Sequence, residues 1–180
     1  MIKHYIEGKR IYLRNVTLSD VTDRYCSWMN DEQVVQYLES RFSKYTKKDL
    51  ILYVKKIAAN PDILFLAIIV KKGNLHIGNV KLGPINRMHF FADMGIMIGD
   101  KRHWGKGYAT ETIKLIVNYA FKKLNLHKIT AGIYDVNVGS EKVFLKAGFR
   151  KEGVLKKHYL YKNKFIDGTL WGIINKNFKR

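Results

Sequence analysis

The sequence predicts a mixed α/β fold in which a largely antiparallel sheet is flanked by helices. Three observations carry that expectation. Apolar segments follow the order strand, helices, three strands, helix, strand, helix, two strands. One of them, Ile63 to Val70, is apolar on both faces, as a strand buried between two layers is. Residues 107–123 show a clear helical stripe of Ile113, Ile116, Val117, Ala120, Phe121 and Leu124, with Lys114, Lys122 and Lys123 off it.

Taken in order, residues 10–15 alternate as a short strand. Thr17 with Asp20 forms an N-cap pair that opens a short helix through Trp28, and Asn30 with Gln33 repeats the signal for a helix to about Leu38. Thr46 with Asp49 opens a third helix, whose Leu50, Ile51, Val54, Ile57 and Ala58 share one face and which stops before Pro61. Strands follow at 63–71, 75–83 and 89–98; in the last, Phe90, Ala92, Met94, Ile96 and Ile98 alternate with Phe91, Asp93, Gly95 and Met97. Beyond the long helix, Lys128 to Tyr134 reads as a strand and Val138 to Lys146 as a helix closed by Gly148 in a left-handed cap. Two final strands, 149–162 and 165–176, turn at Asn163-Lys164.

No repeat, low-complexity tract or linker interrupts the 180 residues, so one domain over 1–180 is expected. At 47% hydrophobic residues the chain packs a core, and no apolar run approaches the roughly 18–20 residues of a membrane span. Met1 to Tyr5 lacks the apolar stretch of a secretory signal. Cys26 is alone, which excludes a disulfide framework and a thiolate zinc site; no metal is implied, and a reducing cytoplasm fits. Lys plus Arg number 33 against 15 Asp plus Glu, a formal charge of 33 − 15 = +18. Such a field attracts nucleic acid, membrane headgroups or phosphorylated small molecules without choosing among them, and a solvated basic surface has the same composition.

The sharpest feature is Arg102-His103-Trp104-Gly105-Lys106-Gly107-Tyr108-Ala109, between a strand and an amphipathic helix. Two glycines let backbone N–H groups turn inward on a ligand, the helix N-terminus adds partial positive charge, and Lys101, Arg102, His103 and Lys106 surround it with donors. This is an anion cradle. The P-loop pattern fails because Lys106 precedes Gly107, and the dinucleotide pattern fails because position 110 is Thr110.

Arg102, Gly105 and Gly107 match Gln/Arg-x-x-Gly-x-Gly/Ala, the pyrophosphate signature of the GNAT superfamily of acetyl-CoA-dependent N-acetyltransferases. Residues Ala92 to Ile98, Asn137-Val138-Gly139-Ser140 with Gly148-Phe149, Glu152-Gly153 and Asp167 resemble the ribosomal-protein alanine N-acetyltransferase branch. Arg10 to Arg14, Asp20 and Trp28 follow the same pattern, so the resemblance spans nearly the whole chain.

The resemblance implies a GNAT fold, with the sheet splayed between its fourth and fifth strands, here 89–98 and 128–134, and the pantetheine arm of acetyl-CoA in the gap. It implies cofactor contacts from Met97, Ile98 and Gly99 and a pyrophosphate on His103, Trp104, Gly105, Lys106, Gly107, Tyr108 and Ala109, with Arg102 completing the signature. It further implies that Asn137 holds the pantetheine and Lys142 reaches CoA phosphates, although a helix cap and a surface lysine are the plainer readings of those two. An N–H near Met97 would polarise the acetyl carbonyl. The amine would attack acetyl-CoA directly in a ternary complex, with Cys26 structural. Many relatives protonate the thiolate with a Tyr seven residues after the Asn; here that position is Phe144, which leaves Ser140 as the thiol contact. Asp93 is the candidate base, ahead of Asp135, His89, His158 and Tyr159.

The acceptor side implied by the family gathers Trp28, Tyr37, Arg41, Phe42, Tyr45, Lys156, Lys157, His158, Tyr159 and Tyr161. The +18 charge disfavours a polycation and suits a neutral or anionic small-molecule amine, such as an amino sugar or amino-acid derivative, with a protein N-terminus as the alternative. A homodimer is compatible with the family. Two rival classes stand beside this one. A basic nucleic-acid-binding module leaves the glycine junction unexplained, and a non-catalytic acyl-CoA sensor would account for the missing Tyr.

Overall fold

A computed structural model describes residues 5–179, so the expectation for Met1 to His4 lies outside the described residues. Eight strands form one sheet: β1 (Tyr5–Glu7), β2 (Ile11–Asn15), β3 (Leu64–Val70), β4 (Leu75–Asn86), β5 (Phe91–Ile98), β6 (Lys128–Tyr134), β7 (Arg150–Tyr161) and β8 (Lys164–Ile174). Their spatial order is β1-β2-β3-β4-β5-β6-β8-β7, and every neighbouring pair is antiparallel except β5 with β6.

Among the described residues five α-helices cover the sheet: α1 (Asp23–Asn30), α2 (Glu32–Val35), α3 (Lys47–Ala58), α4 (Tyr108–Lys122) and α5 (Val138–Lys146). Tyr25, Trp28, Val34, Val35, Leu50 and Val54 of α1–α3 bury one face. Ile113, Ile116 and Ala120 of α4 and Phe144 of α5 bury the other. Strand β3 serves both layers: Leu66 and Ile68 enter the α4 core, Ala67 and Ile69 the α1–α3 core, and all four are at most 1% exposed. Its double burial is the reason its sequence shows no polar alternation.

The N-terminal helices depart from expectation. Asp20 is 6% exposed and holds Arg14 of β2 through two bonds of 2.6 and 2.7 Å while accepting the Thr17 N–H at 2.7 Å. That capture confines the Thr17–Asp20 capping box to a single 3-10 turn, Leu18–Asp20, and Thr22 starts α1 afresh by accepting from the Tyr25 N–H. Asn30 caps nothing. Its carboxamide ties the Cys26 and Tyr45 backbones together at 2.8–3.0 Å, while Asp31 caps α2, which ends at Val35 rather than Leu38. Strand β1, which its three described residues made invisible to periodicity, pairs with β2. The last hairpin turns at Lys162-Asn163, one residue earlier than expected, with both residues in the left-handed region (φ 47° and 61°) that a tight two-residue turn requires.

The feature that positions the site is the parallel pair. Strands β5 and β6 share only Phe91↔Lys128, Ala92↔Ile129 and Asp93↔Thr130. Beyond Asp93 they part, while β5 remains paired to β4 as far as Ile98.

Asp20 tests the N-terminal corner. Burial would raise its pKa, but Arg14 and Thr17 outweigh that and hold it below the ordinary carboxylate value. A depressed pKa stabilises the fold above the unfolded-state value of about 3.9, and that contribution disappears as pH falls through the folded-state value. Asp20→Asn should therefore cost about 1.5–3 kcal/mol at pH 7 and close on wild type at acid pH, read from denaturant unfolding at both.

Candidate active site

Where β5 leaves β6, a cleft of about 570 Å³ opens between the α2 turn, the end of β5, the start of α4 and the start of α5. Of the residues singled out in the sequence, Met97, Ile98, His103, Trp104, Gly105, Gly107, Tyr108 and Ala109 line it from the β5–α4 side. Asn137, Ser140 and Lys142 line it from the facing wall.

The cradle is built from its own sequence. Asp100, 5% exposed, caps the 3-10 turn Lys101–His103 by accepting the Arg102 N–H at 3.1 Å. The Trp104 indole folds back to donate to the Ile98 carbonyl at 2.7 Å. Gly105 and Gly107 take φ of 70° and 79°, which a side-chain-bearing residue adopts only with strain. Helix α4 then starts with no side-chain cap, leaving its first backbone N–H groups without helical partners at the cleft wall. A row of unpaired donors, a positive helix end and an open glycine form an anion site.

Four of the expected residues lie elsewhere. Arg102, the first residue of the signature, turns back on Asp100 with bonds of 3.0 and 2.7 Å and does not line the cleft. Those bonds, from Arg102 above all, hold the Asp100 carboxyl at about 2. Lys106 offers its carbonyl to Arg10 at 2.8 Å. Gly99 donates its N–H to the Ile77 carbonyl at 2.9 Å and has the Trp28 ring where a side chain would be, 2.2 Å from an added Cβ. Asp93 is the last residue paired to β6, at the fork, and accepts from the Thr130 hydroxyl at 3.1 Å. Although Asp93 is exposed, desolvation by the surrounding protein raises its pKa, against the opposing influence of Thr130 and Lys81.

On the α5 wall, Asn137 caps the helix: its Oδ1 accepts the Ser140 N–H at 3.1 Å, which leaves the amide nitrogen of the same carboxamide for a ligand. Phe144 is 3% exposed and meets Phe149 edge-on at 4.9 Å, so this position belongs to the core and not to the cleft.

Sequence reasoning passed over Tyr134 and Glu39. Tyr134, on β6, stacks on Tyr159 with ring centroids 4.1 Å apart, accepts from Arg41 at 2.6 Å and donates to Glu39. Burial and Glu39 push its pKa up to about 12. Tyr37, which lines the cleft, stands edge-on to Tyr134 at 6.3 Å and stacks on Tyr161 at 5.6 Å. Tyr159 reaches this group through a bulge in β7 between Leu155 and Tyr159, pinned by Asp167 accepting the Lys157 N–H at 2.8 Å. Burial, then Glu39 and Asp93, raise the pKa of Tyr159. Of the other base candidates, His158 meets Tyr159 edge-on at 4.7 Å, His89 stacks on Phe91 at 6.5 Å, and Asp135 is exposed.

A sheet splayed at one parallel pair, with a glycine cradle at the helix that follows, is the architecture of an acyltransferase. Residues 10–150 match the acetyltransferase (GNAT) domain family, and the chain belongs to that family. Over 177 residues it is 32% identical to the probable N-acetyltransferase YjcK of Bacillus subtilis, covering 94% of this chain and 97% of that one. Its fold is similar to a spermidine N-acetyltransferase from Vibrio cholerae solved with CoA and spermine (TM-score 0.84, 23% identity, 95% and 99% of the two chains). It is also similar to a ribosomal-protein-S5-alanine acetyltransferase from Vibrio fischeri (TM-score 0.83, 23% identity, 98% and 100%).

The Gly99–Trp28 contact joins α1 to the base of the cradle and can be tested directly. Gly99→Ala should force the indole aside and lower stability by about 1–3 kcal/mol, measured by thermal unfolding; an unchanged midpoint would show that the contact is loose.

Proposed function

We propose that this enzyme transfers the acetyl group of acetyl-CoA to a primary amine of a small molecule by direct attack in a ternary complex. The observation that carries the reading is the continuity of the cleft: the stretch of β5 that β6 leaves unpaired runs straight into the glycine cradle. An unpaired strand edge accepts an extended amide-bearing chain as an added strand, which suits the pantetheine arm. The N–H groups from Gly105 to Ala109 suit the pyrophosphate, and Lys142, which lines the cleft on the α5 wall, suits a further phosphate.

In the reaction a C–N bond forms as the amine attacks the thioester carbonyl, and the C–S bond breaks as the thiolate leaves. A backbone N–H near Met97 serves the developing oxyanion. Ser140, on the opposite wall, contacts the departing sulfur. With a pKa of about 8.5 the thiolate leaves without a strong acid, which fits a core phenylalanine at position 144. Asp93, at the fork beside the cleft and outside its lining, takes the amine proton. Its raised pKa makes it a better acceptor than an ordinary carboxylate, and activity should fall as pH drops through that raised value.

The fold is shared by an enzyme named for spermidine and one named for a ribosomal protein, so the acceptor has to be read from this chain's own surface. Half-buried Tyr159 stacked on buried Tyr134 presents one flat face, and beside it Arg41, bonded to the Tyr134 hydroxyl and the Leu160 carbonyl, sets a cation against the Glu39 carboxylate. That chemistry suits an amino sugar or amino-acid derivative over a polycation. Half-buried Cys26, bonded to the Tyr45 carbonyl at 3.3 Å, acts as a structural thiol and suits a cytoplasmic protein.

Isothermal titration with acetyl-CoA is the first test. Wild type should bind in the micromolar range, and Ala109→Trp, on helical backbone that accepts any side chain, should weaken binding by more than tenfold. A folded wild type that ignores acetyl-CoA would refute the reading, and salt-dependent binding to RNA would then favour the nucleic-acid module. For the chemistry, Asp93→Asn should lower kcat by about 10²–10⁴ and leave acetyl-CoA affinity within twofold. An unchanged rate would remove Asp93 from the base role.

A further inference from the structure

Arg10 does not line the cleft, yet it holds the cradle from behind. It sits in the turn between β1 and β2, 101 residues from its main partner in sequence. Its backbone N–H donates to Glu111 Oε1 and its Nε to Oε2, each at 2.8 Å. Its Nη1 donates to the Lys106 carbonyl at 2.8 Å, and the guanidinium lies 4.7 Å over the Tyr108 ring. One side chain therefore grips the residue before Gly107, the first residue of α4 and the carboxylate of its first turn.

Glu111 makes that grip consequential. A carboxylate in the first turn of a helix stabilises the helix but repels an anion seeking the same N-terminus. Its side chain is only 16% exposed, so water screens it poorly. A paired guanidinium cancels the charge where it matters. The second bond acts on direction: a Lys106 carbonyl held by Arg10 cannot swing toward an anion in the cradle, and the peptide N–H groups of the loop keep their aim.

We infer that Arg10 is a positioning residue for the phosphate-binding cradle, one that neutralises Glu111 and fixes the Lys106 peptide so that the start of α4 receives the diphosphate of its co-substrate. The inference rests on the acetyl-CoA reading above. It predicts a selective defect, confined to donors that carry the diphosphate.

The test uses titration with acetyl-CoA and, as a second acetyl donor, acetyl-pantetheine, which shares the thioester arm and lacks the nucleotide and its diphosphate. Arg10→Met should weaken acetyl-CoA binding about tenfold while affinity for acetyl-pantetheine stays within twofold. Arg10→Met combined with Glu111→Gln should recover most of the lost affinity, because the uncompensated carboxylate is gone. Arg10→Met that binds acetyl-CoA like wild type overturns the inference. So does equal loss on both donors without rescue, the mark of a clasp that only holds the fold. If Arg10→Met does not fold, Glu111→Gln alone decides: affinity equal to or above wild type supports the inference, and weaker binding overturns it. A wild type that fails to bind acetyl-CoA overturns the functional reading itself, whereas a wild type that binds beside an unaffected Arg10→Met overturns this inference alone.

Discussion

The parting of β5 and β6 after three residue pairs is the constraint on which the rest of the molecule depends. A parallel pair inside an otherwise antiparallel sheet needs a long crossover, and here α4 supplies it. Because the strands separate toward the end of β5, the chain leaves the sheet into a widening gap, and the helix that carries it back begins at the rim of that gap. Cleft, exposed strand edge and helix N-terminus are therefore one geometric event. Local sequence has only to keep the rim open and donor-rich, which glycines at 105 and 107 do.

Buried charge organises the rim. Asp100 gathers Arg102 and the N-terminus of a 3-10 turn, with His103 at 3.4 Å, while Lys101 reaches Asp31 at 2.6 Å and Gln33 at 3.1 Å at the α2 end of the cleft. Arg10 and Glu111 secure the helix from outside. Lys101, Arg102 and His103, which seemed free to meet phosphate in the sequence, are thus partly committed to holding the loop, while Lys106 commits its carbonyl. The donors left uncommitted at the rim are chiefly backbone N–H groups, whose direction a fold fixes better than that of a long side chain.

What was legible in the sequence was local. Strand β6 and helix α5 fall on the expected residues because periodicity and a terminal cap define them within one window, and Gly148 does adopt a left-handed φ of 101°. The double burial of β3 was visible in its unbroken apolar run. Most of the failures involve a partner on another element. Asp20 leaves the helix signal for Arg14, Asn30 abandons a cap for Tyr45, and Tyr159 reaches Tyr134 only because Asp167 sustains a bulge one strand away. Even Arg102 turns to a neighbour two residues off, since the pull of Asp100 depends on its burial just beyond β5. The cradle could be found in the sequence, but not which of its cations turn away from the cleft.

The outermost strand, β7, gives part of the positive charge a second purpose. An edge strand offers unpaired backbone groups to any other chain, and its length of 12 residues would make it a template for edge-to-edge association. Arg150, Lys151, Lys156 and Lys157 stand along that margin, and the bulge before Tyr159 bends it out of register. Two copies approaching edge-on would bring like charges together over a kinked ladder. The distortion that lays Tyr159 on Tyr134 thereby also disfavours growth of the sheet at this edge, so one irregularity in β7 serves both the packing inside the molecule and the separation of neighbouring copies.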